Sequence, residues 1–123
     1  MKQVKVAILG MGTVGTGVYK VIENEAAYIA HKNDVDLSVK KVLSLKYGYD
    51  VPQEKRVSSL DDIINDEEIS IVVEVMGGIQ PALTFITKCL EAGKTVVSAN
   101  KQLIANHWAE IEQTAKKSGA GFY

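Results

Sequence analysis

Three glycines near the start of the chain follow a short apolar run, residues 4–9, and precede a helical pattern. They are Gly10, Gly12 and Gly15, and the spacing Gly-x-Gly-x-x-Gly is typical of a turn that holds a dinucleotide. Gly10 allows a sharp turn, Gly12 lets a pyrophosphate approach the backbone, and Gly15 lets a helix pack closely on a strand. The N–H groups that open the helix then face the anion. The pattern predicts a phosphate site; the alternative is a tight turn that binds nothing.

A second group able to do chemistry is Lys101, in the segment Ser98-Ala99-Asn100-Lys101 after a short apolar run. Its ammonium can bind a substrate carboxylate or move a proton, and Asn100 can orient a substrate or ring amide. The alternative is a solvated surface charge. Gly77 and Gly78 end another apolar run and either let a second loop approach a ligand or form a plain strand-to-helix turn.

The end of the second strand indicates which dinucleotide to expect. An acid about 20 residues after the glycine turn normally holds the ribose hydroxyls of NAD. Asp34 and Asp36 stand near that distance, but both precede the strand predicted at residues 37–45. Ser44 and Lys46 stand at its end, and a hydroxyl with a cation suits the 2′-phosphate of NADP. The pattern favours NADP, with NAD as the second option; the alternative is that Lys46 is simply solvated.

Other reactive side chains have structural interpretations. Cys89 is expected to be a small core residue of a helix. His31 and His107 lack partners at metal-ligand spacing, so no metal site is expected. Glu74 lies in an apolar strand, where a carboxylate is costly unless it has partners. Glu74 therefore either accepts hydrogen bonds from loop N–H groups or emerges near solvent.

Strands alternate with helices along the chain. The predicted strands are residues 4–9, 37–45, 55–57, 69–76 and 95–98, with a sixth opening at 120–123. The predicted helices are residues 13–30, a short one from Ser59, 81–92 and 106–118. This order predicts an α/β fold of the Rossmann type, doubly wound, with a mostly parallel sheet in three layers. Three loops should meet at the carboxyl edge of the sheet: residues 10–15, 76–81 and 98–101.

The first predicted helix has an apolar stripe at helical spacing. Its members are Val14, Val18, Val21, Ile22, Ala26 and Ile29. Gly17 lies inside this helix, where a glycine costs about 1 kcal/mol relative to alanine. A packing reason for Gly17 is therefore expected.

Composition limits the class of protein. The 123 residues suit a single domain, 1–123, and the net charge of −1 without a basic stripe argues against nucleic acid. No apolar run reaches the ~20 residues that a membrane span needs, and the start returns to charge too soon for a secretory signal. With Cys89 as the single cysteine, no internal disulfide can form, which fits the cytoplasm. Because Tyr123 stands inside an apparent strand, we expect a piece of a longer protein.

Three segments together resemble the nucleotide-binding part of the homoserine dehydrogenase family. They are Gly10-Met11-Gly12-Thr13-Val14-Gly15-Thr16-Gly17, Val72-Val73-Glu74-Val75-Met76-Gly77-Gly78-Ile79-Gln80-Pro81-Ala82 and Val96-Val97-Ser98-Ala99-Asn100-Lys101-Gln102-Leu103-Ile104-Ala105. The resemblance implies an NAD(P)-dependent oxidoreductase of the aspartate pathway, which serves threonine, methionine and isoleucine biosynthesis. It would interconvert L-homoserine and L-aspartate 4-semialdehyde by hydride transfer. The full-length parent would be a homodimer, and this part alone would bind cofactor without turnover.

The resemblance also implies roles for individual residues. The glycine turn would hold the pyrophosphate, Gly77 and Gly78 would lie beside the nicotinamide, and Lys101 would be an active-site lysine. Many members carry an arginine near the end of the second strand, where this chain has Ser44-Leu45-Lys46. The expected cofactor contacts are Gly10, Met11, Gly12, Thr13, Val14, Gly15, Ser44, Lys46, Met76, Gly77, Gly78, Ser98, Ala99, Asn100 and Lys101. Two alternatives stay open: the cofactor domain of another amino-acid or semialdehyde dehydrogenase, and a non-enzymatic nucleotide sensor.

Overall fold

In the computed structural model, which describes residues 2–123, five strands form one parallel sheet. The strands are β1 (Lys2–Met11), β2 (Val35–Tyr47), β3 (Arg56–Val57), β4 (Ile69–Glu74) and β5 (Thr95–Ser98). Their order is β3-β2-β1-β4-β5, so the direction of winding reverses between β1 and β4. This arrangement confirms the predicted Rossmann-type class. The predicted domain starts at Met1, which lies outside the described residues.

Helices cover both faces of the sheet. They are α1 (Thr13–Asn24), α2 (Ala26–Asn33), α3 (Asp61–Ile64), α4 (Ala82–Glu91) and α5 (Lys101–Ser118), with a 3₁₀ turn at Gln53–Lys55. Tyr19 and Ile22 of α1 pack in one core with Val6 and Ile8 of β1. The other core joins α3, α4 and α5 to the opposite face. The three layers follow from these two cores. Among residues 2–123, no helix has the length and hydropathy to cross a membrane.

Strand register brings the carboxyl ends of the central strands together. Leu9 of β1 pairs with Leu43 of β2 on one side and with Glu74 of β4 on the other. Glu74 in turn pairs with Ser98 of β5. A parallel bridge from Val96 to Phe122 bears out the predicted opening of a sixth strand. The loops that leave these strands therefore start from one edge of the sheet.

The prediction for the first helix is wrong in two respects. It is broken at Glu25 into α1 and α2, and its inward face is only partly the predicted one, because Ile22 of the stripe is buried but the other buried residues of α1 are Gly15 and Tyr19. Val14 and Val21 of the predicted stripe are 55% and 57% exposed. The reason is the close approach of α1 to the sheet at Gly15, because that contact fixes which side of the helix faces inward.

The expected packing reason for Gly17 is absent. A Cβ built on Gly17 meets no atom of residues 2–123 within 4 Å. Gly17 is exposed on α1, so nothing in the described part of the chain requires a glycine there.

Two predicted boundaries also move. β2 starts at Val35, so Asp36 lies within the strand, paired with Gln3 near its amino end and far from the carboxyl edge. α5 starts at Lys101 rather than Asn106, because Asn100 caps it by accepting a hydrogen bond from the N–H of Leu103 at 3.2 Å. The predicted start coincides with a kink at His107, whose φ is −130°.

Charged groups support the chain just before β4. The Asp66 carboxylate lies 2.7 Å from the ammonium of Lys40 and 3.0 Å from that of Lys41. Burial alone would raise the pKa of Asp66, but the hydrogen bonds from these lysines outweigh it and lower the pKa to about 2. Lys94, itself buried, donates to the carbonyl oxygens of Asp66 and Ile69 at 2.9 and 2.7 Å. Burial lowers the pKa of Lys94. This group, which we call the ionic cluster, stands away from the carboxyl edge.

Candidate functional site

Two of the three turn glycines are required by close backbone contacts. Gly10 has φ +100°, and a Cβ there would lie 3.0 Å from the carbonyl oxygen of Val75. A Cβ on Gly15 would lie 2.0 Å from the carbonyl oxygen of Gly10. These contacts tie β1, α1 and the end of β4 into one tight crossing. The predicted reasons for a turn at Gly10 and close packing at Gly15 are thus present in the structure.

Gly12 differs from its two neighbours in the motif. A Cβ on Gly12 meets no atom of residues 2–123 within 4 Å, so its side-chain position opens onto empty space. Gly12 is the N-cap of α1 and provides no side-chain hydrogen bond, and the first turn of α1 contains no acidic residue. The positive end of the α1 dipole therefore faces this space without a neutralising group, which suits an anion.

Ser44 supports the glycine turn from β2. Leu9 pairs with Leu43, but Met11 pairs with Tyr47, so the register shifts between these pairs and Ser44 stands at the irregularity. The Ser44 hydroxyl accepts a hydrogen bond from the N–H of Met11 at 3.0 Å and donates to the carbonyl of Lys46 at 2.6 Å. The single proton of Ser44 is thus already used within the protein. The sequence did not predict this role of Ser44, which is to hold the glycine turn through the N–H of Met11.

Substitution of Ser44 by alanine is expected to lower the free energy of unfolding by about 1–3 kcal/mol, because it leaves the buried N–H of Met11 unpaired. Ser58→Ala is the matched control, since Ser58 is exposed beside the same cleft, and its effect should stay within about 0.5 kcal/mol. Urea unfolding of both variants measures the difference. Equal midpoints for the two would contradict the supporting role of Ser44.

An apolar cleft lies between the ends of β2 and β4. Its volume is about 490 Å³, and Gly10 and Ser44 form part of its wall. Its apolar lining includes Leu43, Leu45, Leu60, Val75, Met76 and Phe85. Leu45 is fully exposed at this place. A slot with such walls suits a flat, mostly apolar ring.

A second cleft lies on the α1 side of the glycine turn. Its volume is about 600 Å³, and it is lined by the glycine turn, by residues of α1 and by the end of β2 with Gly48. Lys20 and Lys46 contribute positive charge, and Thr13 and Thr16 contribute hydroxyls. No acidic residue is among its lining, so the cleft favours anions.

The loops after β4 and β5 meet beside the turn. Gly77 and Gly78 have φ of +78° and +71°, so both adopt a backbone conformation that favours glycine. Asn100 is buried, and its side-chain amide donates to the carbonyl of Gly78. Lys101 is exposed as the first residue of α5, so it is a helix residue rather than a loop residue. The carboxylate of Glu74 accepts from the N–H of Met76 at 2.9 Å, the first of its two predicted environments.

The remaining reactive groups do not form a site. Cys89 is fully buried, and burial raises the pKa of its thiol to about 11, so it stays protonated as a core residue. Within residues 2–123, no three His, Cys, Asp or Glu side chains are grouped to hold a metal ion.

The site lies within the part of the chain that matches a known protein family. The family described as "Homoserine dehydrogenase, NAD binding domain" matches residues 10–123. Homoserine dehydrogenase of Lactococcus lactis subsp. lactis is 41% identical over 98% of this chain, which spans 29% of that protein. The chain thus spans less than a third of this relative.

Solved structures agree with the sequence relatives. Staphylococcus aureus homoserine dehydrogenase at pH 8.5 superposes with a TM-score of 0.88 and 35% identity, covering 99% of this chain and 32% of that one. A hyperthermophilic archaeal homoserine dehydrogenase in complex with NADPH shares the fold, with a TM-score of 0.78 and 22% identity over 98% of this chain and 43% of that one. Taken with the glycine turn and the two joined loops, these matches show that the chain belongs to the homoserine dehydrogenase family, as its NAD-binding domain.

Proposed function

We propose that this chain binds NADP, with NAD as the second option, across the carboxyl edge of the sheet. It would serve an oxidoreductase that interconverts L-homoserine and L-aspartate 4-semialdehyde by hydride transfer at the nicotinamide. The observation that carries the proposal is the crossing at Gly10 and Gly15, which leaves Gly12 open at the uncapped start of α1. Residues 10–15 would hold the pyrophosphate there.

The two halves of the dinucleotide take opposite sides of the turn. The adenosine half belongs over β2, where the apolar cleft offers a slot for adenine. The nicotinamide half then lies over β4 and β5, beside residues 76–78 and 98–101. Lys101 is exposed at that side and is proposed to bind or protonate the substrate.

The proposed preference for NADP rests on charge rather than on the Ser44 hydroxyl. Ser44 already donates its proton to Lys46, so it offers a phosphate no further donor. Lys46 and Lys20 both line the second cleft and supply the cations. The fold neighbour from a hyperthermophilic archaeon holds NADPH, which supports this choice.

Turnover is assigned to a longer protein. This chain spans 29% of its Lactococcus relative, so we propose that by itself it binds cofactor without turnover. The longer protein would act as a cytoplasmic homodimer. The substrate domain would lie in the remainder.

Titration with NADPH and NADH, followed by the emission of the reduced nicotinamide, tests the proposal. NADPH is expected to bind more tightly than NADH, and Lys46→Ala should weaken NADPH about fivefold to tenfold while NADH changes less than about twofold. Lys32→Ala is the matched control, since Lys32 is exposed on α2 and lines neither cleft. Equal weakening of both ligands would contradict the phosphate role of Lys46, and no binding of either would overturn the cofactor proposal.

A further inference from the structure

We propose that Glu74 positions the two loops that receive the nicotinamide half of the dinucleotide, an inference that rests on the proposed function. Glu74 is the last residue of β4 and has 0% exposure. It touches neither cleft described above. Its influence on a ligand therefore passes through the residues that it holds.

The carboxylate of Glu74 joins the loop after β4 to the end of β5. One oxygen accepts from the backbone N–H of Met76 at 2.9 Å. The other accepts from the hydroxyl of Ser98 at 2.6 Å. The Glu74 backbone carbonyl also accepts from the N–H of Ala99 at 3.3 Å. One buried residue thus binds the first residues of both loops.

The hydrogen bonds continue from Ser98 to the start of α5. The Ser98 oxygen accepts from the N–H of Asn100 at 3.1 Å. The Asn100 side chain then joins the loops a second time, because its amide donates to the carbonyl of Gly78. Its carbonyl oxygen caps α5 through Leu103. This chain of bonds sets where α5 begins, and so where Lys101 is presented.

The charge of Glu74 decides the direction of these bonds. All its recorded partners within residues 2–123 are neutral donors, and none of the ion pairs there includes Glu74. An ionised carboxylate only accepts, so the proton of Ser98 must point at it. The lone pairs of Ser98 are then left for the N–H of Asn100. Burying a carboxylate costs free energy. The benefit here is that the Glu74 carboxylate fixes the donor-to-acceptor direction of every hydrogen bond in the network.

The strand order explains why the nicotinamide half is the one affected. Adenosine is proposed to lie on the β2 side of the glycine turn. The residues that Glu74 reaches through Ser98, namely Asn100 and the start of α5, lie on the β5 side and line neither cleft, although Met76 borders the apolar cleft. Loss of its charge should therefore disturb one end of the ligand selectively. A residue that merely stabilises the fold would weaken both ends alike.

The test compares two ligands on the whole chain: NADPH and ADP-ribose 2′-phosphate, which lacks the nicotinamide. Glu74→Gln keeps the shape but places an amide donor against an existing donor. NADPH is expected to bind about tenfold weaker with altered nicotinamide emission, while ADP-ribose 2′-phosphate changes less than about twofold. Asp66→Asn is the matched control, because it weakens the ionic cluster and should leave the ratio of the two affinities unchanged.

A second variant keeps the proposal testable if the Glu74→Gln chain does not fold. Ser98→Ala keeps the buried carboxylate and removes only the hydroxyl between it and Asn100, so it should show the same selective loss. Equal weakening of both ligands, or no change in either, overturns the positioning role of Glu74. If the wild-type chain fails to bind ADP-ribose 2′-phosphate, the proposed function fails first, and the inference fails with it.

Discussion

Substitution of Gly15 by alanine is expected to lower the free energy of unfolding by about 3–5 kcal/mol, a large fraction of the stability of a typical domain. The added methyl would lie 2.0 Å from the carbonyl oxygen of Gly10, which is a backbone atom and cannot rotate out of the way. No rotamer change relieves such an overlap, so α1 must move away from the sheet. Tyr19 and Ile22 would then lose their packing on β1.

Gly17→Ala is the matched control for Gly15→Ala, since it adds the same methyl to the same helix only two residues further on, at an exposed position. The methyl on Gly17 meets no atom of residues 2–123 within 4 Å. This variant should gain about 0.5–1 kcal/mol from the better helix propensity of alanine. Urea unfolding followed by circular dichroism gives both values. A Gly15→Ala chain with a midpoint equal to or above that of Gly17→Ala would disprove the close crossing.

Gly12→Val should separate binding from folding. Its side chain would occupy the space proposed for the pyrophosphate, so dinucleotide affinity is expected to fall about 100-fold or more through the loss of hydrogen bonds to a charged group. The fold should lose only about 1 kcal/mol, because valine is a poorer N-cap than glycine. No atom of the described chain stands in its way.

Nicotinamide emission measures the binding of NADPH to the Gly12→Val chain, and urea unfolding checks that it is folded. Retained affinity in a folded variant would show that the pyrophosphate does not approach Gly12. If the variant unfolds, the space beside Gly12 is too small for a valine side chain. Both results are readable because the wild-type chain is titrated beside the variant.

The glycine turn could be predicted because a glycine itself indicates a position where the backbone leaves no room for a side chain. Gly10 and Gly15 stand where a side chain is excluded, and their spacing implies the crossing before any coordinate is known. The parallel order of strands followed in the same way from alternating elements. The clustering of the three loops is a consequence of that order.

The inward face of α1 could not be read from hydropathy alone. Val14 and Val21 are apolar and regularly spaced, but the contact at Gly15 leaves them exposed and turns Tyr19 inward beside Ile22, the stripe residue that is buried as predicted. The phase of a helix on a sheet is decided by its closest contact, and a stripe of valines does not reveal that contact.

The roles of Ser44 and Glu74 depend on partners distant in the chain. Ser44 meets Met11 only because the register of β1 and β2 shifts there. Glu74 meets Ser98 only because β4 and β5 pair side by side. The sequence predicted a cofactor contact for Ser44 and a need for partners at Glu74. The hydrogen bonds that these residues make could not be predicted, because they form only when distant strands pair.

The chain holds its two ends of the sheet by different forces, and this has a consequence for adaptation. The ionic cluster around Asp66 depends on charge, so it responds to salt and acidity. The carboxyl edge depends on glycine backbone contacts and on hydrogen bonds from neutral donors to Glu74, which salt hardly affects. Substitutions that tune the protein to a hotter or saltier cell can therefore accumulate at the first end. The second end keeps its shape throughout, so descendants of this chain can change habitat while the geometry of the carboxyl edge is preserved.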